Sequence, residues 1–436
     1  IQYHHLLRAM DWLIAHKEDL EKELCNQVLT LFDQKLDLVF YDLTSSYFET
    51  ELTDELRKYG YSRDHRSDKP QVTIGLVTTR DGIPVSHHVF PGNTTDKATV
   101  QRVIRDLRLR FPLDRAVFVG DRGMLTRDNL EVIKAEGLDY IVALNQRRDK
   151  DVESFLVGFQ YEVDDARPGW DAERKRYHAT GELPEGCETE DQMLDQQRLF
   201  AEEVVNGRRL VFEHCESVSK ISAQQRHKRL QRTEDGVTLV IGKLEEQDAG
   251  ERGRGRPLGE AGALVKIHEL VKQNRFLPYY NLALEDGYLV VRIDDLGLQW
   301  EETLDGKLGV ETSLKDLTAE EVIRQYRDLR QIEDSFRSLK STLKLRPMHH
   351  WNPKRIEAHV FLCVIALTLE RIMRLRLRGA GETMLPSRVL SRLKTIRAVT
   401  FRTSQGQAHG VTRVGQEQLA LFKALGIKPP AAKDVL

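Results

Sequence analysis

The sequence predicts an α/β fold in which a mixed sheet flanked by helices is split by a long insertion, and three observations carry that expectation. Short apolar runs follow one another in the order strand, strand, strand, helix, strand, helix, strand. Two of those runs lead straight into an aspartate, Asp42 and Asp121. A long charge-rich stretch then separates them from an amphipathic helix that carries Glu333.

Residues 1–36 read as helical, because Leu6, Leu7, Met10, Leu13, Ile14 and Leu20 recur at roughly helical spacing. At residues 38–41 the period changes to a short apolar run that ends in Asp42 and the polar Thr44-Ser45-Ser46, as a buried strand does when it emerges at a sheet edge. Residues 71–79 and 83–90 are β-branched runs joined by Arg80-Asp81-Gly82, a hairpin signal, so the first three strands are expected to be antiparallel. The polar loop Pro91-Gly92-Asn93-Thr94-Thr95-Asp96 leads into a helix marked by Val100, Val103, Ile104 and Leu107. An apolar strand at 116–120 runs into Asp121, and a helix near 127–136 and a strand at 140–144 follow. This order is the start of a ribonuclease-H-like mixed sheet.

Residues 147–312 turn irregular and charged, with strand-like pieces at 210–213, 288–293 and 308–312, and read as a β-rich insertion domain. Inside it, 250–259 is a basic glycine-rich loop whose Arg254-Gly255-Arg256-Pro257 suits either a minor-groove hook or a plain surface linker. Thr318 and Glu321 form a capping box that opens a helix expected to reach Lys344, and a second long helix is expected over 355–376. The domain reading is therefore a helical segment at 1–36, the sheet core at 37–146, the insertion at 147–312, the second part of the core at 313–380, and a basic helical tail at 381–436. The chain starts at Ile1 without a methionine, and the expectation is that an N-terminal region precedes it.

Composition narrows the class. With 436 residues, 40% hydrophobic and 31% charged, the chain reads as an ordinary globular protein of two to four units, and neither wholesale disorder nor a membrane span is indicated. The longest apolar run, 360–369, is about half the ~20 residues a spanning helix needs. The four cysteines have neither metal-ligand spacing nor a disulfide rhythm, so a reducing cytoplasm is expected. The net charge of −2 hides segregation, since residues 324–402 hold eighteen Lys and Arg against six Asp and Glu. Such a stretch is either a set of solvated helix faces or a track for a phosphate backbone.

Asp42 shares a strand face with Leu38 and Phe40, and if the strands of Asp42 and Asp121 are neighbours their carboxylates converge. The competing reading is that each aspartate merely starts a turn. Glu333 lies at the border of the apolar stripe made by Val322, Leu329, Ile332, Phe336, Leu339 and Leu343, with Tyr326 and Lys340 two turns away on either side. Arg330 and Arg337 beside it make ordinary helix-surface pairs on their own. The seven-residue spacing from Tyr326 through Glu333 to Lys340 lines one ridge on which a phosphate-sized ligand fits.

Three blocks now become recognisable: Val39 through Phe48, Val119 through Met124, and Tyr326 through Lys340. In this order they resemble the DDE transposases of bacterial insertion sequences, specifically the group with a Tyr-Arg-Glu-Lys signature and a β-rich insertion in a ribonuclease-H-like core. Pro91-Gly92-Asn93, the stretch from Leu345 to Trp351 and the helix around His359 also resemble that family. Leu329 occupies the signature Arg position, so Arg330 or Arg337 is expected to take over its phosphate contact.

The resemblance implies that Asp42, Asp121 and Glu333 are both the catalytic residues and the ligands of two Mg²⁺ ions, for which Mn²⁺ can substitute. Three acids suffice, because Mg²⁺ fills its shell with waters and phosphate oxygens. No histidine base is required, and His87, His88, His349 and His350 are expected to pack or to line DNA. The implied reaction cuts a strand at the transposon end and directs the 3′-hydroxyl onto target DNA. Tyr326, Arg330, Arg337 and Lys340 would contact DNA, and Trp300 is a candidate to stack on a displaced base, with core packing as the alternative. Implied partners are double-stranded DNA, both transposon ends and target, and a second copy of the chain in a homodimeric DNA complex; the implied location is the nucleoid. Two other readings stay open, a ribonuclease-H-like nuclease without strand transfer and a non-catalytic DNA-binding inhibitor fragment.

Overall fold

The computed structural model describes residues 2–431 apart from 34–35, 112–115, 122, 124–125, 148, 250–257 and 404–405. The basic stretch 254–257 lies outside the described residues. Two helices open the chain, α1 (Tyr3–Ala15) and α2 (Lys17–Leu31). β1 (Leu38–Tyr47) follows, and its aromatic, β-branched and aliphatic side chains are buried on both faces. β2 (Gln71–Thr78) pairs antiparallel with β1, and β3 (Pro84–Pro91) antiparallel with β2. The turn between them needs φ of +74° at Gly82, a conformation glycine adopts without strain. After α3 (Asp96–Arg110), β4 (Val117–Gly120) runs parallel to β1. After α4 (Arg127–Ala135), β5 (Asp139–Ala143) runs parallel to β4. The spatial order is β3-β2-β1-β4-β5, the mixed sheet expected from the element order.

β1 extends beyond the position where the sequence reading ended it. The polar residues after Asp42 stay in the strand because they find partners. Ser45 Oγ accepts the Arg63 N–H at 3.1 Å, and Ser46 Oγ donates to the Leu345 carbonyl at 3.3 Å. The main chain also remains paired to β2 as far as Tyr47 and Gln71. Val39, Tyr41 and Leu43 on one face of β1 join Val100, Val103, Ile104 and Leu107 of α3 and Leu130 and Ile133 of α4 in one core. At roughly 1.5–3 kcal/mol for each fully buried large apolar side chain, this cluster is a principal source of the sheet's rigidity.

The chain divides into two compact units, one made of residues 1–142, 313–315 and 324–436 and the other of 143–312 and 316–323. The second holds five strands together with two long helices, of 31 and 33 residues, that the sequence reading had not anticipated. In order these are α5 (Lys150–Thr180), α6 (Glu190–Gln196), β6 (Arg198–Val205), β7 (Arg208–Cys215), α7 (Glu216–Asp248), α8 (Glu260–Gln273), β8 (Tyr280–Glu285), β9 (Tyr288–Ile293), α9 (Asp295–Thr303) and β10 (Lys307–Thr312). β10 and β6 flank β7, and β8 with β9 forms a separate hairpin.

The remaining elements are α10 (Ala319–Arg327), α11 (Arg330–Ser341), α12 (Pro353–Gly379), α13 (Pro386–Leu393), the hairpin β11 (Ala398–Thr403) and β12 (Gly406–Val411), and α14 (Gln416–Leu425). α11 packs against β1, and α12 packs against α1, α11 and β3. The tail expected to be helical thus also contains a hairpin.

Candidate active site

β1 and β4 position the first two acids. The last registered pairs of the parallel ladder are Val39 with Phe118 and Phe40 with Val119. Asp42 and Asp121 each lie two residues past that final pair, so strand alternation directs both from the face of Phe40 and Val119. The face of Tyr41 is opposite, turned to α3, where the Tyr41 hydroxyl donates to Thr99 Oγ1 at 2.7 Å. Asp42 is half-buried within β1, whereas Asp121 is exposed just beyond β4.

The charge of Asp121 is felt at Asp42. The Asp42 carboxyl is raised to about 7, chiefly by burial and to a smaller degree by the negative charges of Asp121 and Asp96. The Leu43 N–H, donating to Asp42 Oδ1 at 2.7 Å, and the Arg63 guanidinium oppose the rise without cancelling it. Arg63 in turn pairs with Asp96 at 2.6 Å. Sequence reasoning gave no role to Arg63 or Asp96. The one signal in the sequence is the polar Pro91 to Asp96 loop ahead of α3.

The expected single helix from Thr318 to Lys344 is two helices. α10 ends at Arg327 and α11 begins at Arg330. Between them the chain tightens into three-residue turns, with the Leu329 N–H on the Tyr326 carbonyl and the Gln331 N–H on the Asp328 carbonyl. Arg80 grips Asp328 from the β2–β3 turn at 2.7 Å, and Leu329 is buried, which fixes the break. The phase relation between Tyr326 and Glu333 is therefore not that of one continuous helix. Glu333 sits in the first turn of α11 and is exposed.

Among the described residues, no group of three or more His, Cys, Asp or Glu side chains comes together closely enough to hold a metal ion, Asp42, Asp121 and Glu333 included. Arg330 is exposed, and Arg337 is exposed and pairs with Asp334 at 2.7 Å. Tyr326 is half-buried. Lys340 is not a free cation: it pairs with the buried Asp64 at 2.7 Å, the same carboxylate that takes Arg346 at 2.5 Å. Trp300 lies in the second unit, half-buried against the core of Leu156, Phe159, Leu210 and Leu304. His87 is fully buried and bonded to Glu21 at 2.6 Å.

Two carboxylates just past the registered ends of adjacent strands, one raised toward neutral by burial and like charges, are hard oxygen donors whose repulsion a divalent cation relieves. The Asp42–Asp121 pair thus fits such an ion. The arrangement is a ribonuclease-H-like sheet with an acidic pair at the mouth of its two central parallel strands. The chain belongs to the family described as Transposase DDE domain, which matches residues 33–369 and so takes in the acidic pair and Glu333. No curated protein matches the chain. No helix among the described residues is long and apolar enough to cross a membrane.

Proposed function

We propose that this transposase cuts DNA at transposon ends and joins the freed 3′-hydroxyl to target DNA, with Asp42, Asp121 and Glu333 as catalytic carboxylates. The observation that supports the reading is that Asp42 and Asp121 each follow the last registered pair of two adjacent parallel strands by two residues, with the Asp42 carboxyl strongly raised. Divalent cations, Mg²⁺ or Mn²⁺, held by these three residues would activate the attacking oxygen and neutralise charge at the phosphate. Asp42, fixed by its own strand and the Leu43 N–H, sets the rigid side of the site. Glu333, exposed at the start of α11, supplies the side that closes when DNA arrives.

Arg330 and Arg337, both exposed on α11, are assigned to phosphate contacts, as the signature variant with Leu329 requires. Tyr326, near the end of α10, and Lys340, held on Asp64 from α11, are assigned to DNA contacts from two separate helices. We assign residues 147–312 to the insertion domain of this group, with 37–146 and 313–380 as the two parts of the core. The functional complex is a homodimer on double-stranded DNA in the nucleoid.

The test is a strand-transfer assay with the transposon's own ends in Mg²⁺ or Mn²⁺. Asp42→Asn, Asp121→Asn and Glu333→Gln are each expected to lower joining by at least about a thousandfold. Cleavage without joined product would instead identify a nuclease, and full joining by Glu333→Gln would remove that residue from the site.

A further inference from the structure

We propose that Asp64 is a positioning residue that holds Lys340 and Arg346 together as a clasp for a single DNA phosphate. The inference rests on the reading of Lys340 as a DNA contact and adds to it a second cation and the buried acid that sets both. Asp64 stands in the loop between β1 and β2, Lys340 near the end of α11, and Arg346 in the link from α11 to α12. Lys340 Nζ lies 2.7 Å and Arg346 Nη1 2.5 Å from the same oxygen, Asp64 Oδ1. Two cations that meet on one oxygen are close enough to grip one phosphate between them.

The arrangement favours a phosphate that joins the cluster over one that displaces the acid. Side-chain exposure rises from 3% at Asp64 to 13% at Lys340 and 35% at Arg346, so an anion arriving from solvent meets the cations first, with the carboxylate behind them. Two positive charges against one negative leave one unbalanced, which a single phosphodiester neutralises. Arg63, whose charge is also felt at Lys340, has its own partner in Asp96. Burial draws the Lys340 ammonium below its ordinary value, as do the charges of Arg346 and Arg63, and the Asp64 carboxylate opposes them.

The loop is shaped to deliver this acid. Ser62 Oγ accepts the Asp64 N–H at 3.3 Å and the Arg66 N–H at 3.0 Å. His65 takes a φ of +56°, a region that a residue with a side chain occupies when its surroundings hold it there. Asp64 Oδ2 is buried and, among the described residues, has no hydrogen-bond partner. A buried carboxylate with one oxygen unmet is a poor device for stability. It does fix where two long side chains stand, and cations set in advance bind a phosphate without a further loss of freedom.

The test is equilibrium binding of the full chain to a duplex carrying the transposon's own end, in chelator and over a range of salt concentrations. Each neutralised phosphate contributes about 0.9 to the slope of log affinity against log salt. Lys340→Ala and Arg346→Ala are each expected to lower that slope by about one and the affinity about fivefold. The double variant should lose no more slope than either, since both side chains grip the same phosphate. Asp64→Asn, although it removes a negative charge, is expected to weaken binding by a similar factor, and to add nothing in the double variant. Unfolding transitions check that each variant folds, and the comparison of Lys340 with Arg346 decides the matter even where Asp64→Asn does not. Tighter binding or an unchanged slope in folded Asp64→Asn, no loss of slope in either alanine variant, or losses that add in their double overturns the proposal. Failure of the unaltered chain to join DNA with these slope changes intact would instead count against the catalytic reading alone.

Discussion

At the scale of single residues, Asp42 shows how a fold destabilises itself to make a site. Its carboxyl ionises at about 7 in the folded chain against 3.8 for an ordinary aspartate, so the folded state holds the proton more tightly than the unfolded one. Stability then falls as pH rises from about 4 to about 7, and above that window the full penalty is present, with a ceiling of about 4 kcal/mol. Asp42→Asn removes the charge while keeping the shape. Its unfolding midpoint is expected to exceed that of the unaltered chain at pH 8 and to approach it at pH 4 in metal-free buffer. Equal midpoints at pH 8 would show that Asp42 bears no such burden. Strand patterning made this residue legible, since it follows a short apolar run that reads as a buried strand. What patterning could not supply was the extension of β1 to Tyr47, which depends on Arg63 and Leu345 reaching Ser45 and Ser46 from distant parts of the sequence.

At the scale of elements, the site depends on loops that are locked rather than on helices alone. Gly92 sits where the chain leaving β3 passes against β2 and the strap of residues 56–60, its N–H on the Leu56 carbonyl at 3.1 Å. Gly92→Ala would force the Gln71 and Lys58 carbonyls apart. We expect a loss of about 2 kcal/mol or more in urea unfolding, typical of overpacking against immovable backbone. A loss under about 0.5 kcal/mol would mean the loop rearranges freely. The sequence displayed Pro91-Gly92-Asn93 plainly but not its contacts, because close backbone approach leaves no trace in composition. The break between α10 and α11 was hidden for a related reason. Leu329 fits the apolar period of one long helix, and only Arg80, 248 positions from Asp328, shows why the turn tightens there.

At the scale of the whole molecule, charge counting was the least reliable guide and strand order the most. Strand order is dictated by local periodicity, and five strands fell into the expected sheet. The long helices α5 and α7 are not legible in the sequence because their apolar residues follow no sharp stripe. The basic stretch 324–402 is real in the sequence, yet its charges are unequal in the fold. Arg371 is buried with one hydrogen bond to Ser335, Lys340 and Arg346 share Asp64, and Arg355 pairs with Asp11, while Arg330 and Arg337 face solvent. Attraction for a phosphate backbone therefore rests on the charges left unbalanced, and a sum over the stretch overstates it.

The central claim is that Asp42 and Asp121 act as one catalytic unit on DNA, and a double-substitution cycle on the joining reaction tests it most directly. Residues that work as a unit lose almost everything with the first substitution, so their effects do not multiply. Joining rates are measured for the unaltered chain, Asp42→Asn, Asp121→Asn and the double variant, with folding of each checked by its unfolding transition. The expected result is a loss of about a thousandfold or more in either single variant and little further loss in the double. Independent losses that multiply in the double variant, or a folded single variant that still joins DNA at near the original rate, would contradict it.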